Sequence, residues 1–113
     1  MNTETSPVTE VVTERDGTVL TISLDGPKTR NSISPPVYKA LQSAIIAAGE
    51  DPGVRAIVLT GRHGFFSSGG NIHNLKASAQ STMAEVTGNT DALNAMILSI
   101  RACPTPVIAA VEG

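Results

Sequence analysis

Apolar and polar positions alternate from Val19 to Leu24, with Leu20, Ile22 and Leu24 on one side and Val19, Thr21 and Ser23 on the other. That two-residue period predicts a strand with one apolar face. Upstream, VTEVVTER runs into Asp16-Gly17, a dipeptide favoured in two-residue hairpin turns, so a first strand should fold back onto the second. The spacing then becomes helical. Val37, Leu41, Ala44, Ile45 and Ala48 form one stripe, with Ser34 as N-cap, Pro35 at the first helical position, and Gly49 and Pro52 as stops. The run Ala56-Ile57-Val58-Leu59-Thr60 does not alternate, which predicts a strand covered on both faces. From about Thr90, Leu93, Met96, Ile97 and Ile100 mark a second amphipathic helix, ended by Pro104 and Pro106. Val107-Ile108-Ala109-Ala110-Val111 repeats the buried-strand signature. Residues 72–90 carry no clear pattern. Strands alternating with helices predict an α/β fold with right-handed crossovers.

Composition narrows the function. Hydrophobic residues make up 41% of 113 residues, enough for one domain with a real core. Net charge is −2 with only eight Lys and Arg, and nucleic-acid binding needs a basic stripe. Two Phe, one Tyr and no Trp leave no stacking platform for single strands. Cys103 stands alone, which excludes an internal disulfide and a cysteine-based metal cluster. No apolar run approaches the roughly 18 residues of a membrane-spanning helix. The leader, residues 1–7, is polar, is expected to be disordered, and lacks the parts of a secretory signal. A cytoplasmic setting is the expectation, with no nucleic-acid and no membrane partner.

The chemistry concentrates after the strand at 56–60. There Phe65-Phe66-Ser67-Ser68-Gly69-Gly70-Asn71-Ile72 follows directly, and ligands in open α/β folds gather beyond the carboxyl ends of strands. Glycines let the backbone take positive φ and let a ligand approach the main chain. Peptide N–H groups at such a turn can hold a phosphate or a negative carbonyl oxygen. A phosphate loop would need a Lys after the glycines, and G-x-G-x-x-G is absent as well. Neither Ser67 nor Ser68 lies in G-x-S-x-G, so the nucleophile elbow fails by spacing. What remains is a loop that donates main-chain hydrogen bonds to a carbonyl oxygen.

Four ordered segments then carry a resemblance. GFFSSGGNI after AIVLTG is similar to the F-[CSA]-[AS]-G-[AG]-[DN]-[IL] signature of the enoyl-CoA hydratase/isomerase (crotonase) superfamily. VLTISLDGPKTRNSISPPVYKAL resembles its early strand, its P-x-x-R-N-[AS] turn and its first helix. GEDPGVRAIVLTG and CPTPVIAAVEG resemble its next two strand motifs. The match runs from about Val8 to Gly113, so residues 8–113 are expected to form the N-terminal part of a crotonase-like α/β domain built from ββα units. The resemblance implies acyl-CoA thioester chemistry: a lyase, enoyl-CoA hydratase, adding water across a 2,3-double bond. An isomerase, or a CoA-thioester or ring-opening hydrolase, shares every motif seen. A non-catalytic acyl-CoA-binding or assembly protein is the alternative of another class.

By the same resemblance the Gly70 N–H is the first oxyanion donor, with Gly69 supplying the sharp turn. Ser68, Asn71 and Ile72 line the channel for the CoA arm, His73 ends the substrate-contacting stretch, and Arg30 lies near the CoA phosphates. Asn71 stands where the signature commonly has Asp, which alters local charge but not the main-chain donor. The resemblance also implies that the second donor and the acid–base carboxylates lie beyond Gly113, leaving this chain inactive by itself. No metal and no separate cofactor are implied, coenzyme A being part of the substrate, and a homotrimer or hexamer is expected of the whole protein. His63 and His73 share no ligand cluster and are read as solvated structural residues, Cys103 as a buried small residue at a helix end. Phe65 and Phe66 are read as core and rim packing. Ser67 or Ser68 as a hydrolase nucleophile lacks an evident paired base, and by the resemblance Glu112, tempting as a general base, falls at a variable position before the glycine.

Overall fold

The computed structural model describes residues 9–69 and 83–113. Within them the chain forms β1 (Glu10–Asp16), β2 (Val19–Asp25), α1 (Pro35–Glu50), β3 (Ala56–Gly61), α2 (Met83–Ala102) and β4 (Val107–Ala109). The strands make one sheet in chain order, β1-β2-β3-β4. β1 and β2 are antiparallel, whereas β2, β3 and β4 run parallel. A helix therefore lies between each parallel pair, as such connections require.

The hairpin turn sits one residue later than Asp16-Gly17 predicts. Asp16 pairs with Val19, which leaves Gly17-Thr18 as the two-residue loop. Gly17 has φ +61 and its successor does not turn left-handed, the sign pattern that puts glycine first in a two-residue loop. Helix α1 starts at Pro35 as expected, with Ser34 at the N-cap, although no side-chain cap bond forms there. Its end differs slightly. Gly49 and Glu50 stay helical, and the Asp51 amide closes the end by donating to the Ala48 carbonyl.

One core joins both helices to one sheet face. Ile22, Leu24 and Ile57 from the sheet meet Val37, Leu41, Ile45 and Ala48 of α1, with Met96 of α2 and Val54 from the connection before β3. The register explains the set: Leu20 stands beside Ile57 and Ile22 beside Leu59, so alternate residues of neighbouring strands share a face. Burying each such Leu or Ile contributes about 1.5–3 kcal/mol.

Three expectations of burial are corrected. In the run 56–60 only Ile57 is fully buried, and its neighbours are half-covered. In β4, Ile108 is 54% exposed, and the strand stops at Ala109 instead of Val111. Among the described residues both helices feed the core of the face that carries Ile57, so no second layer closes over Val58 and Ile108. In α2, Met96 is buried, but Ile97 is 43% exposed. The helix also begins by Met83, before the first apolar position of its stripe.

Candidate functional site

β2, β3 and β4 are parallel, so the segments leaving their carboxyl ends emerge on the same side of the sheet. Those segments are the turn 26–34, the loop 62–69 and the tail 110–113. They interlock through main-chain bonds. The Ser68 amide donates to the Arg30 carbonyl at 3.0 Å, and the Phe66 amide donates to the Glu112 carbonyl at 2.9 Å. The Ile33 amide donates to the Gly69 carbonyl at 2.7 Å, and the Ala110 amide to Leu59 at 2.9 Å.

The turn before α1 is built on an unusual backbone. Arg30 and Asn31 have φ of 53° and 57°, the left-handed region that Asn tolerates and most side chains do not. The bend is closed by the Asn31 amide, which donates to the Gly26 carbonyl at 2.9 Å. The Asn31 side chain is fully buried. Its Oδ1 accepts from the Gly26 amide at 2.7 Å, and its Nδ2 faces the carbonyls of Arg62, Phe65 and Phe66 at 2.9, 3.0 and 3.1 Å. One carboxamide thus joins two loops. The P-x-x-R-N-[AS] motif marked this residue, yet nothing in its spacing announced the buried role.

The loop after β3 ends in a glycine turn. Gly69 has φ +91 and open space where a Cβ would stand, so glycine is there for its backbone. Its amide donates to Ser67 Oγ at 3.0 Å, and Ser67 Oγ donates to the Asn31 carbonyl at 2.7 Å. Ser68 Oγ donates to the Thr29 carbonyl at 3.1 Å. Both hydroxyls are therefore tied to main chain, with no imidazole or carboxylate among these partners to activate them.

Of the residues picked from sequence, Arg30, Ser68 and Gly69 come together at this edge, all three exposed. The Arg30 guanidinium lies 4.9 Å over the Phe65 ring, a cation–π contact that holds a charge at the rim. Phe65 and Phe66 are half-buried and stand outside the apolar core, so both pack at the rim, not in the core. Gly70, Asn71, Ile72 and His73 lie outside the described residues. His63 Nε2 is 2.7 Å from Asp25 Oδ1, and Arg62 pairs with the same carboxylate and with Glu14. Among the described residues no group of three or more potential metal ligands occurs, and no helix is long and apolar enough to cross a membrane. Cys103 is half-buried and lines an open cleft of about 420 Å³ between α1 and α2, with Ile45, Ile46 and Leu98. None of the loop residues reaches that cleft.

What this arrangement can do is limited and specific. It presents a rigidly tied main-chain turn beside an exposed cation, at the edge where parallel strands end. The amides of Phe66, Ser68 and Gly69 are spent within the protein, so what the described edge offers a ligand is the exposed Arg30 guanidinium, which suits a negative group.

The chain matches the family model for enoyl-CoA hydratase/isomerase over residues 14–113. It is 32% identical over 102 residues to the mitochondrial enoyl-CoA hydratase domain-containing protein 3 of Xenopus laevis, covering 90% of this chain and 34% of that protein. Among solved structures it resembles an enoyl-CoA hydratase from Polaromonas sp. JS666, with TM-score 0.87 and 36% identity. That likeness covers 91% of this chain and 40% of the other. An enoyl-CoA hydratase from Bacillus halodurans matches with TM-score 0.84 and 28% identity, over 91% of this chain and 42% of its own. The chain therefore spans well under half the length of these relatives. The Gly/Ser turn, the interlocked loops and the matches agree: this chain has the crotonase fold and belongs to the enoyl-CoA hydratase/isomerase family.

Proposed function

We propose that this chain supplies the thioester-binding part of an acyl-CoA site, and that the whole protein is an enoyl-CoA hydratase. The observation that carries the reading is the tied glycine turn at the carboxyl edge of β3, with Arg30 beside it. In the proposed reaction water adds across the 2,3-double bond, oxygen to C3 and hydrogen to C2. As the nucleophile adds, negative charge collects on the thioester oxygen. The Gly70 N–H donates to that oxygen, and Gly69, with φ +91, lets the chain turn sharply before it. Removing one such donor costs about 3 kcal/mol of barrier, a hundredfold or more in rate. Arg30 meets the CoA phosphates, and Ser68, Asn71, Ile72 and His73 line the path of its arm. Proton transfer is assigned to carboxylates outside this chain.

The names of the relatives favour hydration over double-bond isomerisation, which the same oxyanion-binding turn would also serve. The reading needs no metal and no cofactor besides the CoA carried by the substrate. It extends to a homotrimer or hexamer in the cytoplasm for the whole protein. Titration of the isotopically labelled chain with butyryl-CoA, a saturated thioester that cannot react, tests the site. Shifts confined to residues 28–33 and 65–73 support it. A folded chain with no response, or with shifts centred on the cleft between α1 and α2, overturns it.

A further inference from the structure

We propose that Asn31 is a positioning residue of this site, one that fixes the loop leading into the glycine turn; this rests on the acyl-CoA reading above. The side chain is 0% exposed and both its oxygen and its NH2 group are hydrogen-bonded. Its oxygen takes the Gly26 amide, and its NH2 group is shared among three carbonyl oxygens of the loop after β3. Its own carbonyl continues the path, accepting from Ser67 Oγ, which in turn accepts from the Gly69 amide. Two hydrogen bonds therefore separate the Asn31 backbone from the glycine turn. The two Nδ2 protons, shared among three carbonyls, anchor the same loop upstream.

The chemistry is selective. The site needs donors toward three carbonyls and an acceptor toward one amide, at a backbone position with φ 57°. Asn meets all three demands, whereas Asp has the same shape but turns lone pairs toward the carbonyls. An unpaired buried polar group is not tolerated at small cost, so the loop must move away from a carboxylate at this point. Displacement by about 1 Å is enough to spoil binding geometry at such a site.

Asn31→Asp in the full chain tests this by amide hydrogen exchange together with butyryl-CoA titration. The expected result has two parts. The amides of Phe66, Ser68 and Gly69 exchange at least tenfold faster while those of Ile22 and Ile57 keep wild-type protection, and affinity falls at least tenfold. Lowering the pH until the new carboxyl protonates restores one donor and part of the protection, a recovery absent from the wild type. Ile45→Val, a core change, serves as the control for lost stability and leaves the affinity of the folded chain unaltered. Normal loop protection and affinity in Asn31→Asp overturn the proposal, as does an even loss of protection across core and loop. Should that variant fail to fold, Asn31→Gly keeps the backbone geometry and is read by the same two measurements. Failure of both to fold assigns Asn31 to folding alone and ends the proposal. A wild-type chain that does not bind butyryl-CoA overturns the acyl-CoA reading itself, whereas binding lost only in the Asn31 variants upholds both.

Discussion

Gly61 leaves room for Asn31: a Cβ at position 61 would stand 2.8 Å from Asn31 Nδ2. The carbonyl oxygens of Phe65 and Phe66 crowd the same point. Gly61→Ala must push apart the very groups that hold the loop, and is expected to destabilise by about 2–3 kcal/mol. Gly17→Ala is the contrast. Nothing stands within 4 Å of that position and only its φ of +61 resists a side chain, at about 1 kcal/mol. Urea unfolding midpoints at constant slope measure both. Equal effects would show that Gly61 is not held by contact.

Leu41 is 1% exposed in the core, whereas Leu98 on α2 is 58% exposed. Leu41→Ala is expected to cost about 2–5 kcal/mol, since it removes buried area and leaves a void. Leu98→Ala should change stability by less than about 0.5 kcal/mol. Thermal melts of the two variants decide whether the helices share one core with the sheet.

Ser67 bridges Asn31 and Gly69 with both of its hydrogen-bonding roles. Ser67→Ala is expected to lower stability by about 1 kcal/mol and to speed exchange at the Gly69 amide. Because no base stands among its described hydrogen-bond partners, the wild-type chain should take up no fluorophosphonate probe. Covalent labelling at Ser67 or Ser68 would reinstate the hydrolase reading.

Arg30 is exposed and stacked on Phe65. Arg30→Gln is expected to weaken butyryl-CoA binding about tenfold and to flatten its dependence on salt, because a charge–phosphate contact is screened by ions. Stability should shift by less than about 1 kcal/mol, the scale of an exposed cation–π contact. Calorimetric titration at two ionic strengths reads both quantities. An unaltered salt slope would remove Arg30 from the phosphate end.

The helix stripe of α1 was legible position by position, because Val37, Leu41, Ile45 and Ala48 recur at the helical period and nothing interrupts them. The period-two face of β2 was equally plain, with Ile22 and Leu24 buried as spaced. Spacing failed where two answers share one pattern. A run such as Val107–Val111 reads as buried whether or not a second layer exists, and here Ile108 stays largely exposed. Helix α2 was only half seen, since its first turns carry Thr, Gly and Asn, which give no apolar stripe. At the site, the glycine turn was picked from residue type and order, and Arg30 only from the resemblance of its motif. Asn31 was passed over as a carrier of structure, because a polar residue in a turn looks solvated until the loop that buries it is in place.

Local order along the chain thus determined the α/β alternation, the apolar stripes and the family motifs, since each depends on neighbours a few residues away. Only the tertiary structure decided that the segments at 26–34, 62–69 and 110–113 meet at one edge. Their contacts join residues more than thirty positions apart, and such bonds come from parallel strand register, which no local spacing encodes. The same register put a carboxamide where three carbonyls needed donors. There a turn asparagine became the fastening of the site.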